Sequence, residues 1–486
     1  MLRRISLGAL LLLTSTRWAS AGERWISLRS PNFELYTSSD ENSARDALVF
    51  FEQVRRAFTE ILGVKLPDSK TVAIIAFRDP EEYAHYRPQD NVAAYSMFLS
   101  TRDCIVMQDL VPDHYPVALH EFTHVITRQA NLKMPLWLNE GFAELYSTLK
   151  PVGKKIVVGR VIEGRLQVAQ GGLLDLREVL RADNRSPVYH ENGRAGTFYA
   201  ESWALVHMLK FSDKYASRFD QVLDAIGRGE SGEQALPEVY GKTLEQIQAD
   251  LAAYVHGSQF REGVINGKLE KPVAEPKSTP LDPVDMAVIL AMVQVRGPQR
   301  QAALATLAEL SKANPERPGP DEALAWIRLA GPEPQTAVPS FLRALEAGTR
   351  DANLCFQFAV KLRAVITETD YVAALQRAAE IDPGFSAAQQ LLAAHAFNSH
   401  DYAEAVKRFH LVKKLDRKEA FKYYRALSFA AFQIGDLTEA RSAAARTQEY
   451  AVAPEDRQLA DEMLRYVNGG KTPATTPGYG ETPPLL

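Results

Sequence analysis

Apolar and polar positions follow two different periods along the chain, and the change from one to the other divides it. In the first quarter, short segments either alternate with period two or are apolar throughout, and both patterns predict strands. One longer segment, residues 42–62, repeats with the helical period instead. The predicted strands are residues 32–37, 71–77, 94–99 and 104–108, the last two flanking a hairpin turn. The pattern predicts an α/β lobe over residues 22–114, with the apolar segment 71–77 as its central strand.

Farther along the chain, the apolar positions recur mostly with helical spacing. Residues 116–129 are apolar around most of the helix circumference, and a second helix follows the break at Pro135. Residues 196–257 are helical with polar turns, whereas residues 154–170 alternate and predict a small hairpin. We therefore expect a largely helical lobe over residues 115–262, which completes an α+β domain together with the preceding lobe.

The remainder of the chain has a different character. Residues 263–283 contain four prolines and no periodicity, which predicts a linker. Residues 284–468 are alanine-rich and helical, and residues 401–405 match residues 436–440 at a spacing near that of tetratricopeptide repeats. The segment resembles such repeats, which usually bind peptides or proteins, while a generic helical bundle is the alternative. Residues 469–486 are rich in proline, threonine and glycine, which predicts a disordered tail.

The amino terminus predicts export from the cytoplasm. Arg3 and Arg4 precede an apolar run over residues 7–13, and residues 19–21 (Ala-Ser-Ala) form a cleavage site of the A-x-A type. The apolar run is too short to span a bilayer. Residues 1–21 are therefore predicted to be a signal peptide, and the mature protein is expected in the periplasm or outside the cell.

Charge and cysteine content argue against several classes of protein. A formal net charge of −4 over 486 residues gives no basis for binding nucleic acid or an anionic membrane. The two cysteines, Cys104 and Cys355, lie in different predicted domains, so a disulfide framework is excluded. After the amino terminus, no segment of the sequence is apolar enough to predict a membrane span.

The candidate chemistry lies in the run His120-Glu121-Phe122-Thr123-His124. Histidines at positions i and i+4 project from one face of a helix toward the same point. A solvated helix face is the ordinary alternative, but the other positions of this helix are mostly apolar, and buried imidazoles need polar partners. Two neutral imidazoles and a carboxylate around an open coordination position describe a catalytic zinc site.

This run and its continuation, Asn139-Glu140-Gly141-Phe142-Ala143, resemble the gluzincin metallopeptidases, in particular the bacterial peptidase MA-like members. The resemblance implies an α+β zincin-like fold, a zinc cofactor, and Glu140 as the third ligand beside His120 and His124. It also implies that Glu121 is the general base that takes a proton from water. The gap between His124 and Glu140 is shorter than in the aminopeptidase members, which leaves the course of the intervening loop open.

The same resemblance implies two supporting roles. Glu144, one helical turn after the third ligand, matches a carboxylate that hydrogen-bonds a zinc-bound histidine, which is His120 here. A solvent-facing carboxylate is the alternative. Tyr199 matches the donor that stabilises the oxyanion of the tetrahedral intermediate. An ordinary helix cap is the alternative for Tyr199, and His190 and His207 are other possible donors.

Taken together, these features predict an exported zinc-dependent peptidase whose helical repeats bind a protein or peptide partner. The aminopeptidase motif Gly-x-Met-Glu-Asn does not occur in the sequence, which favours an endopeptidase. By the same resemblance, the strand at residues 104–108 is the candidate sheet edge that pairs with a substrate backbone. A non-catalytic scaffold that retains the zincin lobe and a zinc amidase acting on cell-wall peptides are the alternatives. The sequence leaves the substrate and the oligomeric state open.

Overall fold

The computed structural model describes residues 24–469, apart from 64–65, 67–70, 91, 100–101, 154, 192, 267–275 and 296. The predicted signal peptide and all but the first residue of the predicted tail lie outside the described residues. The chain divides into two compact units, residues 1–286 and 287–486. Within the described ranges, no helix combines the length and the apolar character that crossing a membrane requires.

The first unit is built on a mixed β-sheet. Its strands, in the part that the structure describes, are β1 (Ile26–Arg29), β2 (Phe33–Thr37), β3 (Val72–Ala76), β4 (Ala94–Leu99), β5 (Arg102–Met107), β6 (Lys150–Val152), β7 (Lys155–Val158), β8 (Gly263–Asn266) and β9 (Ser278–Pro280). Six of them form one sheet in the order β4-β5-β3-β2-β1-β9, and β6, β7 and β8 form a smaller sheet. The predicted central strand is confirmed, because β3 lies between β2 and β5, parallel to both, with all five residues buried.

Three local predictions are wrong. The strand predicted at residues 104–108 as a sheet edge corresponds to β5, which lies inside the sheet because its hairpin partner β4 covers it. The predicted linker over residues 263–283 contains β8 and β9 among its described residues, and β9 pairs antiparallel with β1 and covers the edge of that strand. The hairpin predicted over residues 154–170 is misplaced. A hairpin is formed by β6 and β7, but β6 precedes the predicted segment, and a helix spans Glu163–Gln170.

Helices make up most of the remaining first unit. They are α1 (Glu41–Leu62), α2 (Pro80–Tyr83), α3 (Tyr115–Gln129), α4 (Leu136–Ser147), α5 (Glu163–Gln170), α6 (Leu176–Arg181), α7 (Pro187–His190), α8 (Arg194–Phe211), α9 (Phe219–Gly227), α10 (Gly232–Tyr240) and α11 (Leu244–Val255). The predicted helices at residues 42–62, 116–129 and after Pro135 are therefore confirmed as α1, α3 and α4.

Aromatic packing fixes the rotation of α3 about its axis. The ring of Phe122, which is fully buried, lies 5.3 Å from the Phe33 ring of β2 and 5.8 Å from the Phe58 ring of α1, measured between centroids. Position 122 lies on the helix face opposite the one shared by His120 and His124, because residues two apart differ by about 200°. Because Phe122 is buried against the sheet, both histidines face away from the sheet.

Close approach of α4 and α8 requires the glycine at position 141. A Cβ atom added there would lie 2.4 Å from Cγ2 of Val206 and 2.5 Å from the backbone oxygen of Ser202. The first contact is with a side chain, but the second is with the backbone of α8, which cannot move aside without separating the two helices. Gly141 therefore sets the distance between α8 and the helix that carries Glu140.

Substituting Gly141→Ala is expected to lower the free energy of unfolding by about 1–3 kcal/mol, the usual cost of overpacking a core. Urea unfolding of the metal-free protein would measure this loss. Gly196→Ala is a matched control, because Gly196 also lies in a helix but nothing lies within 4 Å of an added Cβ there. That control should be neutral or stabilising, since alanine favours helix over glycine. Equal stability of the two variants would contradict the packing argument.

The second unit is a succession of helical hairpins. Its helices, starting with one that begins at the end of the first unit, are α12 (Pro283–Gln294), α13 (Arg300–Ala313), α14 (Pro318–Leu329), α15 (Val338–Glu346), α16 (Ala352–Leu362), α17 (Glu368–Ile381), α18 (Ser386–Asn398), α19 (Tyr402–His410), α20 (Arg417–Gln433), α21 (Leu437–Tyr450) and α22 (Pro454–Val467). From α16 to α21, each helix packs against the next one in sequence. The predicted helical repeats are thus present as packed hairpins.

The matching pentapeptides of the sequence repeat are equivalent in structure. Asp401 accepts a hydrogen bond from the backbone N–H of Glu404 at the start of α19, and Asp436 does the same for Glu439 at the start of α21. Ala405 and Ala440, at the last position of each pentapeptide, are completely buried. The repeat therefore encodes a helix N-cap followed by a small residue where neighbouring helices pack closely.

Candidate metal centre

Three predicted ligands converge at the junction of α3 and α4. His120 and His124 lie one turn apart on α3, and Glu140 lies in the second turn of α4, which begins after Pro135. The Nε2 atoms of the two histidines are 3.2 Å apart, and each is 3.5 Å from Oε2 of Glu140. The structure thus brings together one potential ligand atom from each residue in a nearly equilateral triangle.

The size of this triangle fits zinc. Zinc–nitrogen and zinc–oxygen bonds of about 2.0–2.2 Å in a tetrahedron place the ligand atoms about 3.3–3.6 Å apart. The three observed separations lie within about 0.1 Å of that range. Oε2 of Glu140 is buried and has no hydrogen-bond partner within the protein, so this carboxylate oxygen needs a partner that the described residues do not supply. The donor set of two imidazoles and one carboxylate is also the one that catalytic zinc takes in peptidases.

Electrostatics at the centre keep Glu140 in the charge state that binds a cation. Burial raises the pKa of Glu140, but the adjacent His120 and His124 lower it by a larger amount, and the net result is a pKa of about 2. Burial of His124 lowers its pKa, and the carboxylate of Glu140 outweighs that effect and raises it. Glu140 is therefore an anion at neutral pH, as a metal-ligating carboxylate must be.

Glu121 lies beside this triangle and is held by the edge strand of the sheet. The backbone N–H of Ser96, in β4, donates a 2.9 Å hydrogen bond to Oε2 of Glu121. This donor fixes one carboxylate oxygen and leaves the other to accept a proton. Sequence reasoning missed the contribution of Ser96, because a backbone donor leaves no signal in the residue type.

Glu144 lies beside His120 and does not face solvent, but the hydrogen bond expected between the two is not formed. Its side chain is buried, and its Oε1 lies 3.6 Å from Nδ1 of His120, slightly beyond hydrogen-bond distance. The same oxygen accepts a 2.6 Å hydrogen bond from Arg165 of α5. Arg165 was missed in the sequence, since one arginine on a short helix carries no motif. It neutralises Glu144 and places a cation beside the centre.

Tyr199 is near the centre, but its hydroxyl contacts a second tyrosine that the sequence did not indicate. Tyr189 lies 3.1 Å from Oε1 of Glu140, and the Tyr199 hydroxyl lies 3.2 Å from that of Tyr189. An ionised carboxylate can only accept, so Tyr189 donates to Glu140 and must accept from Tyr199. Burial, followed by the charge of Glu140, raises the pKa of both tyrosines, that of Tyr189 to about 12, so both keep their protons.

The other two histidines considered as oxyanion donors are not at the centre. His190 is exposed and contacts the backbone oxygen of Asn184. His207 is buried in the helical lobe, where its ring nitrogens contact the hydroxyl of Tyr254 and the backbone oxygen of Gly159. The structure therefore brings neither ring to the centre.

The candidate centre opens into a cleft of about 860 Å³. Its walls include residues of β4, the exposed side of α3 and the start of α5, together with the charged and aromatic groups His120, Glu121, Glu144, Arg165 and Tyr199. A second cavity of about 600 Å³ shares Pro116, Ser147 and Ile162 with the cleft. Its walls are mainly apolar and include Phe50, Tyr115, Leu119, Leu149 and Val161.

A buried glutamate two residues after Tyr199 predicts a pH dependence of stability. Glu201 is fully buried, accepts a hydrogen bond from Leu174 N–H at Oε2, and has no partner at Oε1. Burial raises its pKa from 4.5 to about 8. The folded protein therefore keeps a proton that the unfolded chain loses above pH 4.5, so stability falls as pH rises between these two values.

We expect the Glu201→Gln variant to lack this dependence. Relative to the variant, the wild-type protein should lose about 1.4 kcal/mol of unfolding free energy for each pH unit between roughly pH 5 and 8. Urea unfolding of both proteins at pH 5.5 and pH 7.5 measures the difference. Parallel pH profiles for the two proteins would show that Glu201 is ionised in the fold.

Comparison with known proteins leaves the family open. No protein family and no curated protein matches the chain. Among solved structures it is similar to YrrB, described as a TPR protein with an unusual peptide-binding site. That match has 17% sequence identity, covers 36% of this chain and 88% of the other, and has a TM-score of 0.27. The likeness is too loose to identify a function, so the candidate function rests on the geometry of the centre itself.

Proposed function

We propose that the protein is a zinc-dependent peptidase that hydrolyses peptide bonds in the cleft beside His120, His124 and Glu140. The observation that carries this proposal is the triangle of ligand atoms with sides of 3.2, 3.5 and 3.5 Å, which fits a tetrahedral zinc ion with one open position. The resemblance of the surrounding sequence to gluzincin peptidases supports the same assignment.

His120, His124 and Glu140 would hold the metal. When bound, zinc would lower the pKa of a water molecule to about 7 and polarise the carbonyl group of the scissile bond. Glu121 would take the proton of the attacking water and pass it to the leaving amine. The hydrogen bond from Ser96 N–H supports this role, because it restricts the rotation of the Glu121 carboxylate at the floor of the cleft.

Tyr199 would stabilise the oxyanion that forms on the substrate. Its hydroxyl donates to Tyr189, so it would have to turn from Tyr189 toward the oxyanion during the reaction. Two observations support a role for Tyr199 in the cleft. Tyr199 lines the cleft wall, and the guanidinium of Arg165 lies 5.2 Å from the centroid of the Tyr199 ring. Arg165 and Glu144 would fix the orientation of His120 and the shape of the neighbouring wall.

An extended polypeptide is the substrate form that fits best. The cleft runs beside β4, whose outer edge carries no strand partner among the described residues, and strand addition to such an edge is a common mode of peptide recognition. The mainly apolar adjoining cavity favours substrates with apolar side chains near the scissile bond. An open cleft of this kind suits cleavage within a chain, and the second unit would bind a protein or peptide partner.

Metal removal and peptide cleavage test the proposal together. The purified protein is expected to contain one zinc ion per chain and to cleave members of a broad peptide library, with products identified by mass spectrometry. Chelation should abolish cleavage, and added zinc should restore it. Zinc binding without cleavage of any peptide would instead favour a non-catalytic scaffold, and release of amino acids from cell-wall peptides alone would favour the amidase.

A further inference from the structure

The two oxygens of Glu140 lie in different surroundings. Oε2 points toward both histidines at 3.5 Å and has no hydrogen-bond partner. Oε1 accepts a hydrogen bond of 3.1 Å from the Tyr189 hydroxyl. The side chain of Glu140 is buried, so water does not compete for either oxygen. A buried carboxylate with one hydrogen-bonded oxygen and one oxygen without a partner favours ligation of a metal through the second oxygen.

Tyr189 is itself held in place from the other side. Tyr199 donates to its hydroxyl, which leaves the Tyr189 proton free to point only at Glu140. The Tyr189 ring packs against Phe198 and Tyr199 of α8, with centroid distances of 5.8 and 5.9 Å. The short helix α7 thus presents a single hydroxyl whose direction is set by two neighbours.

We propose that Tyr189 is a positioning residue that makes Glu140 a one-oxygen metal ligand and so keeps a coordination position open for water. The inference rests on the proposed zinc site. Without the hydroxyl, Oε1 would be buried with no donor, and it would gain a partner by turning toward the metal. Glu140 would then supply two oxygens, so the metal would have five ligands instead of four, and the second oxygen would crowd the position that the water needs.

The substitution Tyr189→Phe tests this role, with two comparison variants. Tyr215→Phe is the matched control, because the buried Tyr215 hydroxyl also donates to a carboxylate, Asp250, at 2.7 Å but lies outside the metal centre. Tyr199→Phe removes the donor to Tyr189 and keeps the Tyr189 hydrogen bond to Glu140. Zinc affinity would be measured by competition with a chromophoric chelator, and thermal unfolding of the metal-free proteins would show whether each variant is folded.

Coordination number is read from the visible absorption of the cobalt(II)-substituted proteins, which weakens as cobalt passes from four to five ligands. Tyr189→Phe should weaken this absorption and change zinc affinity by about 10- to 100-fold, the usual effect of removing a group that supports a ligand. Tyr215→Phe should change neither property, and Tyr199→Phe should keep the four-coordinate spectrum.

Each outcome decides between distinct possibilities. A wild-type spectrum and affinity in Tyr189→Phe would overturn the positioning role and leave the proposed peptidase intact. Wild-type protein that binds neither zinc nor cobalt would overturn both the peptidase and this role. If Tyr189→Phe alters the coordination but the wild-type protein cleaves no peptide, the role of Tyr189 is supported and the proposed function is overturned.

Discussion

The Glu121→Gln substitution is expected to lower the rate of peptide cleavage by about 10²- to 10⁴-fold and to leave the zinc content unchanged. Glutamine has nearly the same shape, and its side-chain oxygen can still accept the hydrogen bond from Ser96 N–H that the carboxylate accepts at 2.9 Å. It cannot take a proton from water at neutral pH. The variant therefore removes the proton transfer and preserves the geometry of the cleft.

Two further variants make this result specific. Glu121→Asp keeps a carboxylate but shortens its reach by one methylene group, so its rate should lie between those of the wild type and Glu121→Gln. Glu163→Gln makes the same chemical change at an exposed position at the start of α5 and should leave the rate unaffected. The measurement is kcat for one library-derived peptide, with zinc determined on the same samples. A Glu121→Gln variant with wild-type turnover would contradict the assignment of the general base.

In the first unit, an element can be predicted from sequence where its own residues determine whether it forms a strand or a helix. The uninterrupted apolar run of β3 and the helical period of α1 are strong local signals, and each predicts its own element. The predictions that were wrong depended on which elements become neighbours. Whether β4 or β5 forms the edge depends on which of them pairs with β3, an earlier strand. The pairing of β9 with β1 joins residues far apart in sequence, and a three-residue strand that ends at Pro280 has no periodicity to detect.

At the candidate centre, too, the local features could be predicted and the tertiary contacts could not. Histidine spacing on one helix and a glutamate on the next are local features, so the set of His120, His124 and Glu140 could be predicted from sequence and resemblance. Tyr189, Arg165 and the Ser96 amide come from other elements and reach the centre only through tertiary packing. The contact of Tyr199 with Tyr189 could not be predicted either, because it depends on how α7 packs against α8.

Loss of a metal ligand should also have a large effect, and it should differ from loss of the general base because zinc binding is lost as well as cleavage. The His124→Ala variant removes one corner of the triangle and is expected to lose both zinc and cleavage, whereas Glu121→Gln loses cleavage alone. Zinc at 1,000 times its Kd should stabilise the wild-type protein by about 4 kcal/mol, because it binds only the folded chain.

Urea unfolding with and without zinc measures this stabilisation, and we expect it to be absent in His124→Ala and present in His256→Ala. His256 is an exposed histidine at the end of α11 and serves as the matched control. Zinc-dependent stabilisation that persists in His124→Ala would place the ion elsewhere in the protein, and the proposed centre would then be wrong. Retention of zinc and of stabilisation in Glu121→Gln, with loss of both in His124→Ala, would separate the base from the ligands.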